Sequence, residues 1–250
     1  MSVHQPLAIG IDIGGTGTKF GIVDKDGNVL FSGEMSTKKH REIDGYIDEL
    51  HGHLGELIEK AGGIGRIRGI GVGAPNGNFY TGNIEYAPNL PWSGVIPIAK
   101  MMSDKFQLPV TLTNDANAAA VGEMMYGAAK GMKDFIMITL GTGVGSGIVA
   151  NGQLIYGHDG FAGELGHTVI IPNGRKHAGT DQLGSLESYT SATGVAESAK
   201  EILSQSDRPS VLRTINIDEI SSKDVYEAAI KGDEVAIEVF EFTGKILGIA

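Results

Sequence analysis

Two glycine- and threonine-rich turns are the parts of this sequence best suited to hold an anion: Asp12-x-Gly14-Gly15-Thr16-x-Thr18-Lys19 and Gly141-Thr142-Gly143-x-Gly145. With no Cβ in the way, successive backbone N–H groups in such a turn can reach phosphate oxygens. Thr16 and Thr18 add hydroxyls and Lys19 adds charge, while Asp12, at the end of an apolar run, could orient Mg2+ through water. Ordinary tight hairpins would leave the same pattern. Other phosphate loops do not fit. There is no Gly-x-x-x-x-Gly-Lys-Ser/Thr, and the protein-kinase glycine loop and its companions are missing. The nearest dinucleotide fingerprint, Gly69-x-Gly71-x-x-Ala74, runs straight into Pro75 with no helix opening behind it.

These turns need strands and helices to hold them. Leu7 to Ile13, Lys19 to Asp24 and Val29 to Met35 read as an antiparallel meander, turned by the glycine run and by Asp26-Gly27. Ile43, Tyr46, Ile47, Leu50, Leu54, Leu57, Ile58 and Ala61 repeat with helical spacing and predict a helix over Glu42 to Ala61. A buried strand follows at Ile67 to Val72, ending in Ala74-Pro75-Asn76-Gly77. Next come a helix near Ile96 to Phe106, a strand at Val110 to Thr113 and a helix at Ala116 to Ala129. Phe135 to Leu140, Ile148 to Ala150 and Gln153 to Tyr156 are strands. Gly157 to Glu187 reads as a long loop region with one strand, Thr168 to Ile171. Helices close the chain at about Ala192 to Ser204, Lys223 to Ile230 and from Glu234 onward.

One pattern recurs. Gly21-Ile22-Val23, then Gly27-x-Val29-Leu30-Phe31-x-Gly33, returns as Gly147-Ile148-Val149, then Gly152-x-Leu154-Ile155-Tyr156-Gly157. Each copy follows a Gly/Thr turn and a strand. The chain therefore reads as two copies of a hairpin-first α/β unit with a cleft between them. Two glycine turns at the same place in two repeats make a shared nucleotide cleft the better account of both.

Composition narrows the classes. The 250 residues carry 20 Lys+Arg against 30 Asp+Glu, a net charge of −10, with no basic run, so nucleic acid is not an expected partner. No signal-type segment opens the chain and no apolar run approaches a membrane span, so a soluble cytoplasmic protein is expected. Cysteine is absent, which excludes disulfides, a thiolate nucleophile and a cysteine zinc site. Glycine, at 38 of 250, stands at about twice its ordinary share.

A specific resemblance emerges from several motifs in order. Asp12 to Lys19 resembles the first phosphate loop of the actin, Hsp70 and hexokinase superfamily, and Gly141 to Gly147 its second. Asn114-Asp115-Ala116-Asn117-Ala118-Ala119 and Gly163-Glu164-Leu165-Gly166-His167 are similar to signatures of the ROK family of bacterial sugar kinases and sugar-responsive repressors. Ala87-Pro88-Asn89-Leu90-Pro91-Trp92 is similar to that family's sugar-pocket segment. Leu186-Glu187 with Ser191-Ala192-Thr193-Gly194 matches the segment after its zinc loop.

The resemblance implies an α/β fold of the actin-like (ribonuclease H-like) kind, in two lobes with a cleft between them. The expected division puts residues 1–113 in an N-terminal lobe and 114–250 in a C-terminal lobe. It implies ATP- and Mg2+-dependent phosphorylation of a hexose at the 6-hydroxyl, glucose first, with N-acetylhexosamines, mannose and fructose as alternatives. Polyphosphate is the alternative donor, and a homodimer the expected assembly. Asp115 would be the catalytic base. By residue type alone it could equally cap a helix, since Asn-Asp ahead of an alanine-rich stretch has that look. Asn89, Asn114, Asp115, Glu164, His167 and Glu187 would bind the sugar. Asp12, Gly14, Gly15, Thr16, Thr18 and Lys19, with Gly141, Thr142 and Gly143, would bind the nucleotide, Asp12 through Mg2+. Trp92 is expected in the core or in a pocket wall.

Two departures stand out. The family commonly braces its sugar pocket with zinc on the His of its Gly-His motif and three cysteines. Here those thiolate positions hold Ala178, Thr180 and Ser185, so no zinc site is expected. His177 and Asp181 stand near His167, but their spacing matches no known ligand set. The loop ahead of Glu187 must then be held by packing and hydrogen bonds. The family also continues past this point with a strand and a glycine turn near adenosine, whereas this chain stops within a helix, as a truncated chain would. Two rivals remain. A repressor of the same family needs a helix-turn-helix ahead of the sugar unit, and only Met1 to Pro6 precede the first strand. An actin- or chaperone-type ATPase would not need the Asn-Asp and Gly-Glu-x-Gly-His segments.

Overall fold

The computed structural model describes residues 5–177 and 179–250; Met1–His4 and the zinc-loop position Ala178 lie outside the described residues. The chain forms two compact units, Met1–Met137 with Gly147–Gly163, and Ile138–Ser146 with Glu164–Ala250.

The first unit is built on a five-stranded sheet. β1 (Leu7–Ile13) and β2 (Gly17–Val23) form a tight hairpin, and β3 (Val29–Ser36) continues the meander. In β1 the alternation is clean: Leu7, Ile9, Ile11 and Ile13 are buried while Asp12 is exposed. α1 (Ile43–Lys60) covers the sheet with Tyr46, Ile47, Leu50, Leu54 and Ile58. β4 (Ile67–Ala74), the short pair β5 (Ile84–Glu85) and β6 (Val95–Ile96), α2 (Ile98–Phe106) and β7 (Val110–Asn114) follow. The sheet order is β3-β2-β1-β4-β7, with β1, β4 and β7 parallel. α3 (Asp115–Tyr126) leaves directly from the end of β7.

β8 (Phe135–Leu140), β9 (Val144–Ala150) and β10 (Gln153–Leu154) form a second sheet in the order β10-β9-β8. This repeats the sequential order of β1 to β3, as the recurring glycine pattern predicts. The second unit holds Ile138–Ser146 of β8 and β9 together with α4 (Glu187–Thr190), α5 (Ala192–Gln205), α6 (Ser222–Ala229) and α7 (Glu234–Ile249). One apolar cluster there joins Val195, Leu203, Leu212, Val225, Val235 and Val239; another joins Val144, Leu186, Tyr189 and Ile246.

Two expectations differ from the structure. The compact units do not follow the division at 113/114, because α3 stays with the first unit. It seats against β4 at Gly73, where an added Cβ would stand 3.2 Å from the Cβ of Ala118, and against β9 at Gly147, where one would stand 2.5 Å from the Cβ of Ala120. The strand expected at Thr168 to Ile171 is not a regular one. Val169 makes a single bridge to Ser185, because its partner run bends away at Gly184 (φ +76°).

Candidate active site

In the first unit the carboxyl ends of three parallel strands carry the candidate residues side by side. Asp12 on β1 pairs with Gly73 on β4, Gly73 pairs with Thr113 on β7, and Asn114 and Asp115 come next in the chain. Ligands of α/β sheets bind at this edge. Asn114 caps α3: its side-chain oxygen accepts from Ala116 N–H at 2.9 Å, and Asp115 Oδ1 accepts from the same N–H at 2.9 Å. The capping role weighed for Asp115 thus falls mainly on Asn114. Asp115 itself is exposed at the helix N-terminus, where the dipole favours a carboxylate. Partial burial raises the titration of Asp12 above the usual aspartate range. The carboxylate of Asp115 raises it further, and Lys19 opposes the shift.

The first glycine turn closes through Gly14 N–H to Gly17 O at 3.0 Å. Asp12, Thr16, Gly17, Thr18 and Lys19, with Glu34, Met35 and Ser36, line a cleft of about 560 Å3. Asp12, Lys19 and Glu34 lie in one cross-strand row. Gly15 packs on the sugar-pocket segment: an added Cβ would come 2.5 Å from the carbonyl oxygen of Asn89. Exposed Asn89 is thereby set beside the turn.

Thr18 corrects its expectation. Its hydroxyl is fully buried, bonded to Thr37 Oγ1 at 2.9 Å and Tyr46 OH at 2.8 Å, so it braces the turn from beneath and only its backbone remains to meet a phosphate. Strand parity signals this, since Thr18 shares a face with Phe20 and Ile22. Burial pushes the Tyr46 phenol up, and its ring meets Trp92 edge-on at 4.6 Å. Trp92 is a core residue whose Nε1 donates to His40 O.

In the second unit the candidates gather around Val144. Gly141 N–H donates to Gly143 O at 2.9 Å, and Gly141 O accepts from Ala192 N–H, the first residue of α5, at 2.8 Å. Thr142 is exposed at the tip. Val144 N–H donates to Glu187 Oε2 at 2.6 Å. The Val144 carbonyl lies over Gly166, where an added Cβ would approach it to 2.3 Å. Glu164 and His167, exposed, flank Gly166. The His167 ring lies 5.8 Å from that of His177, and His177 bonds Glu187. The sequence points to His177 only as a neighbour of His167 and does not single out Val144, because nothing local to either residue signals its bond to Glu187.

Fit to metals differs by ion. For Mg2+, Asp12 and Asp115 are neighbouring carboxylates whose repulsion a divalent cation would relieve, so the residues fit. For zinc they do not. Ser185 Oγ is buried against Ser188 Oγ at 2.7 Å, and Thr180 offers no thiolate.

Comparison with known proteins decides the family. The ROK family model matches residues 8–250. The chain belongs to the ROK family. It is 36% identical to the glucokinase of Halalkalibacterium halodurans, over 97% of this chain and 74% of that one. It is 31% identical to the xylose repressor of Caldicellulosiruptor bescii, over 97% of this chain and 61% of that one. The structure matches that of a ROK family glucokinase from Streptomyces griseus, solved with glucose and AMPPNP. The TM-score is 0.76 at 33% identity, over 97% of this chain and 77% of that one. The fold of this ROK protein is accordingly the actin-like ATPase fold. Among the described residues no helix is long and apolar enough to cross a membrane.

Proposed function

We propose that this ROK protein is an ATP-dependent hexose kinase that phosphorylates the 6-hydroxyl of glucose. The observation that carries the reading is the placement of Asp115. It sits at the carboxyl end of β7, exposed, in the same unit as the first phosphate turn and near enough to Asp12 to shift its titration.

Asp115 accepts the proton of the 6-hydroxyl as that oxygen attacks the γ-phosphorus. The bond from the γ-phosphorus to its bridging oxygen breaks, and ADP leaves. Mg2+, held through Asp12, would neutralise charge on the phosphates when bound. The turns at Gly14–Lys19 and Gly141–Gly143 supply backbone N–H donors to the phosphates, with Lys19 adding charge. Asn89, Asn114, Glu164, His167 and Glu187 bind the sugar hydroxyls. Asn114 does so with its amide nitrogen, because its oxygen holds Ala116 N–H. A cytoplasmic homodimer without nucleic-acid contacts is the setting we assign, the net charge of −10 favouring the last point.

A second reading is a sugar-responsive regulator, favoured by the likeness to a xylose repressor. It requires sugar binding without turnover. Asp115→Asn separates the two. In a kinase, glucose phosphorylation falls by about 10²–10⁴-fold while glucose binding persists. Unchanged turnover in Asp115→Asn overturns the assignment of the base.

A further inference from the structure

The loop ahead of Glu187 is held by a set of hydrogen bonds at both of its ends and across it. It is anchored at one end by Arg175, whose Nη1 donates to Ser188 O at 2.7 Å and Gly194 O at 2.9 Å, and whose guanidinium lies over the Tyr189 ring. At the other end Ser185 and Ser188 share a buried hydrogen bond. Between these anchors the backbone pairs across the loop, His177 N–H to Gln182 O at 2.8 Å and Gly184 N–H to Arg175 O at 2.8 Å.

His177 lies at the centre. Its Nδ1 accepts two backbone N–H groups, from Gly179 at 3.0 Å and Thr180 at 2.9 Å. A ring nitrogen that accepts carries no proton, so the ring proton is on Nε2. Nε2 donates it to Glu187 Oε1. The second carboxylate oxygen of Glu187 accepts Val144 N–H at 2.6 Å. A continuous path therefore runs from the loop turn, through one imidazole, to Glu187 and on to the residue after Gly143. Both side chains are largely sheltered, 10% and 18% exposed, so water competes little for these bonds.

We infer that His177 is a positioning residue: it fixes the Glu187 carboxylate for the sugar. The inference rests on the hexose-kinase reading for its consequence, and on hydrogen-bond geometry alone for its existence.

Two measurements test it. The first is the ¹⁵N spectrum of the His177 ring in the unliganded protein at neutral pH. The Nε2–H form is expected, with shifts that move in Glu187→Gln. An Nδ1–H ring, or shifts indifferent to Glu187→Gln, overturns the proposal whether or not the protein is a kinase. The second is steady-state kinetics. His177→Ala removes a hydrogen bond to a charged group, which is stronger than one between neutral groups. His177→Ala is therefore expected to raise the KM for glucose by about 10–100-fold, with the KM for ATP within about twofold. His177→Gln, whose amide N–H reaches where Nε2 stood, is expected to recover most of the loss. Equal damage in both variants, or an unchanged KM for glucose in His177→Ala, overturns it. A wild-type chain inactive on glucose would count against the kinase reading and leave the spectroscopic result standing.

Discussion

Glu187 Oε2 accepts the backbone N–H of Val144 at 2.6 Å, so a candidate sugar ligand is tied to the residue that follows the second glycine turn. Gly143 makes that approach possible. A Cβ there would stand 2.6 Å from the same oxygen. Gly143→Ala should displace the carboxylate while the fold survives, because the side chain of Glu187 can swing aside. The expected outcome is a 10–100-fold loss in kcat/KM for glucose, equivalent to about 1.4–2.7 kcal/mol, with a melting temperature within about 3 °C of wild type. Kinetics and a thermal scan on one preparation check both parts.

Gly15 differs, because its obstacle is backbone. A Cβ there meets the carbonyl oxygen of Asn89 at 2.5 Å, with no flexible side chain to yield. Gly15→Ala should cost about 1–3 kcal/mol of overpacking, a melting loss of roughly 2–12 °C, and should raise KM for both ATP and glucose. A variant as stable and as active as wild type would show that the turn and the Asn89 segment do not touch.

Asp12 gives a pH signature. Partial burial and then Asp115 raise its titration in the folded chain, and Lys19 opposes this. The folded state therefore holds that proton more tightly than the unfolded one. This favours folding below the ordinary aspartate value, and the benefit is lost as pH rises through the raised value. At neutral pH the ionised Asp12 destabilises the unliganded chain. Asp12→Asn should raise melting at pH 7 by up to about 2 °C, a small gain because solvent screens the site. The gain should close below about pH 4. Mg2+ with nucleotide should stabilise wild type more than the variant. Melting curves from pH 3 to 8 test this, and a loss of stability at pH 7 in Asp12→Asn would contradict it.

Removing divalent metal tests the loop. With Ser185 bonded to Ser188 and His177 to Glu187, a zinc-selective chelator should leave the melting temperature within about 1 °C. A drop of many degrees would mean that a metal holds the fold.

Much of this was legible from residue order, and the exceptions have physical causes. The meander, α1 and the strand-to-helix step at Asn114-Asp115 follow from local periodicity and turn chemistry, which act within a few residues. Thr18 was legible in parity but masked by its place inside a phosphate-type motif. The missing strand at Thr168–Ile171 depended on how its partner run bends at Gly184, a non-local fact. His177 is a lone histidine in a polar loop, and its role exists only once the fold brings Glu187 to it. The stay of α3 with the first unit rests on Gly73 and Gly147, whose meaning is what lies across from them.

The most direct test of the central claim is ADP formation from ATP and Mg2+ by the wild-type chain, with and without glucose. ADP release is expected to depend on glucose and to be matched mole for mole by glucose 6-phosphate. ADP release at the same rate without sugar, or glucose binding with no ADP formed, would contradict it.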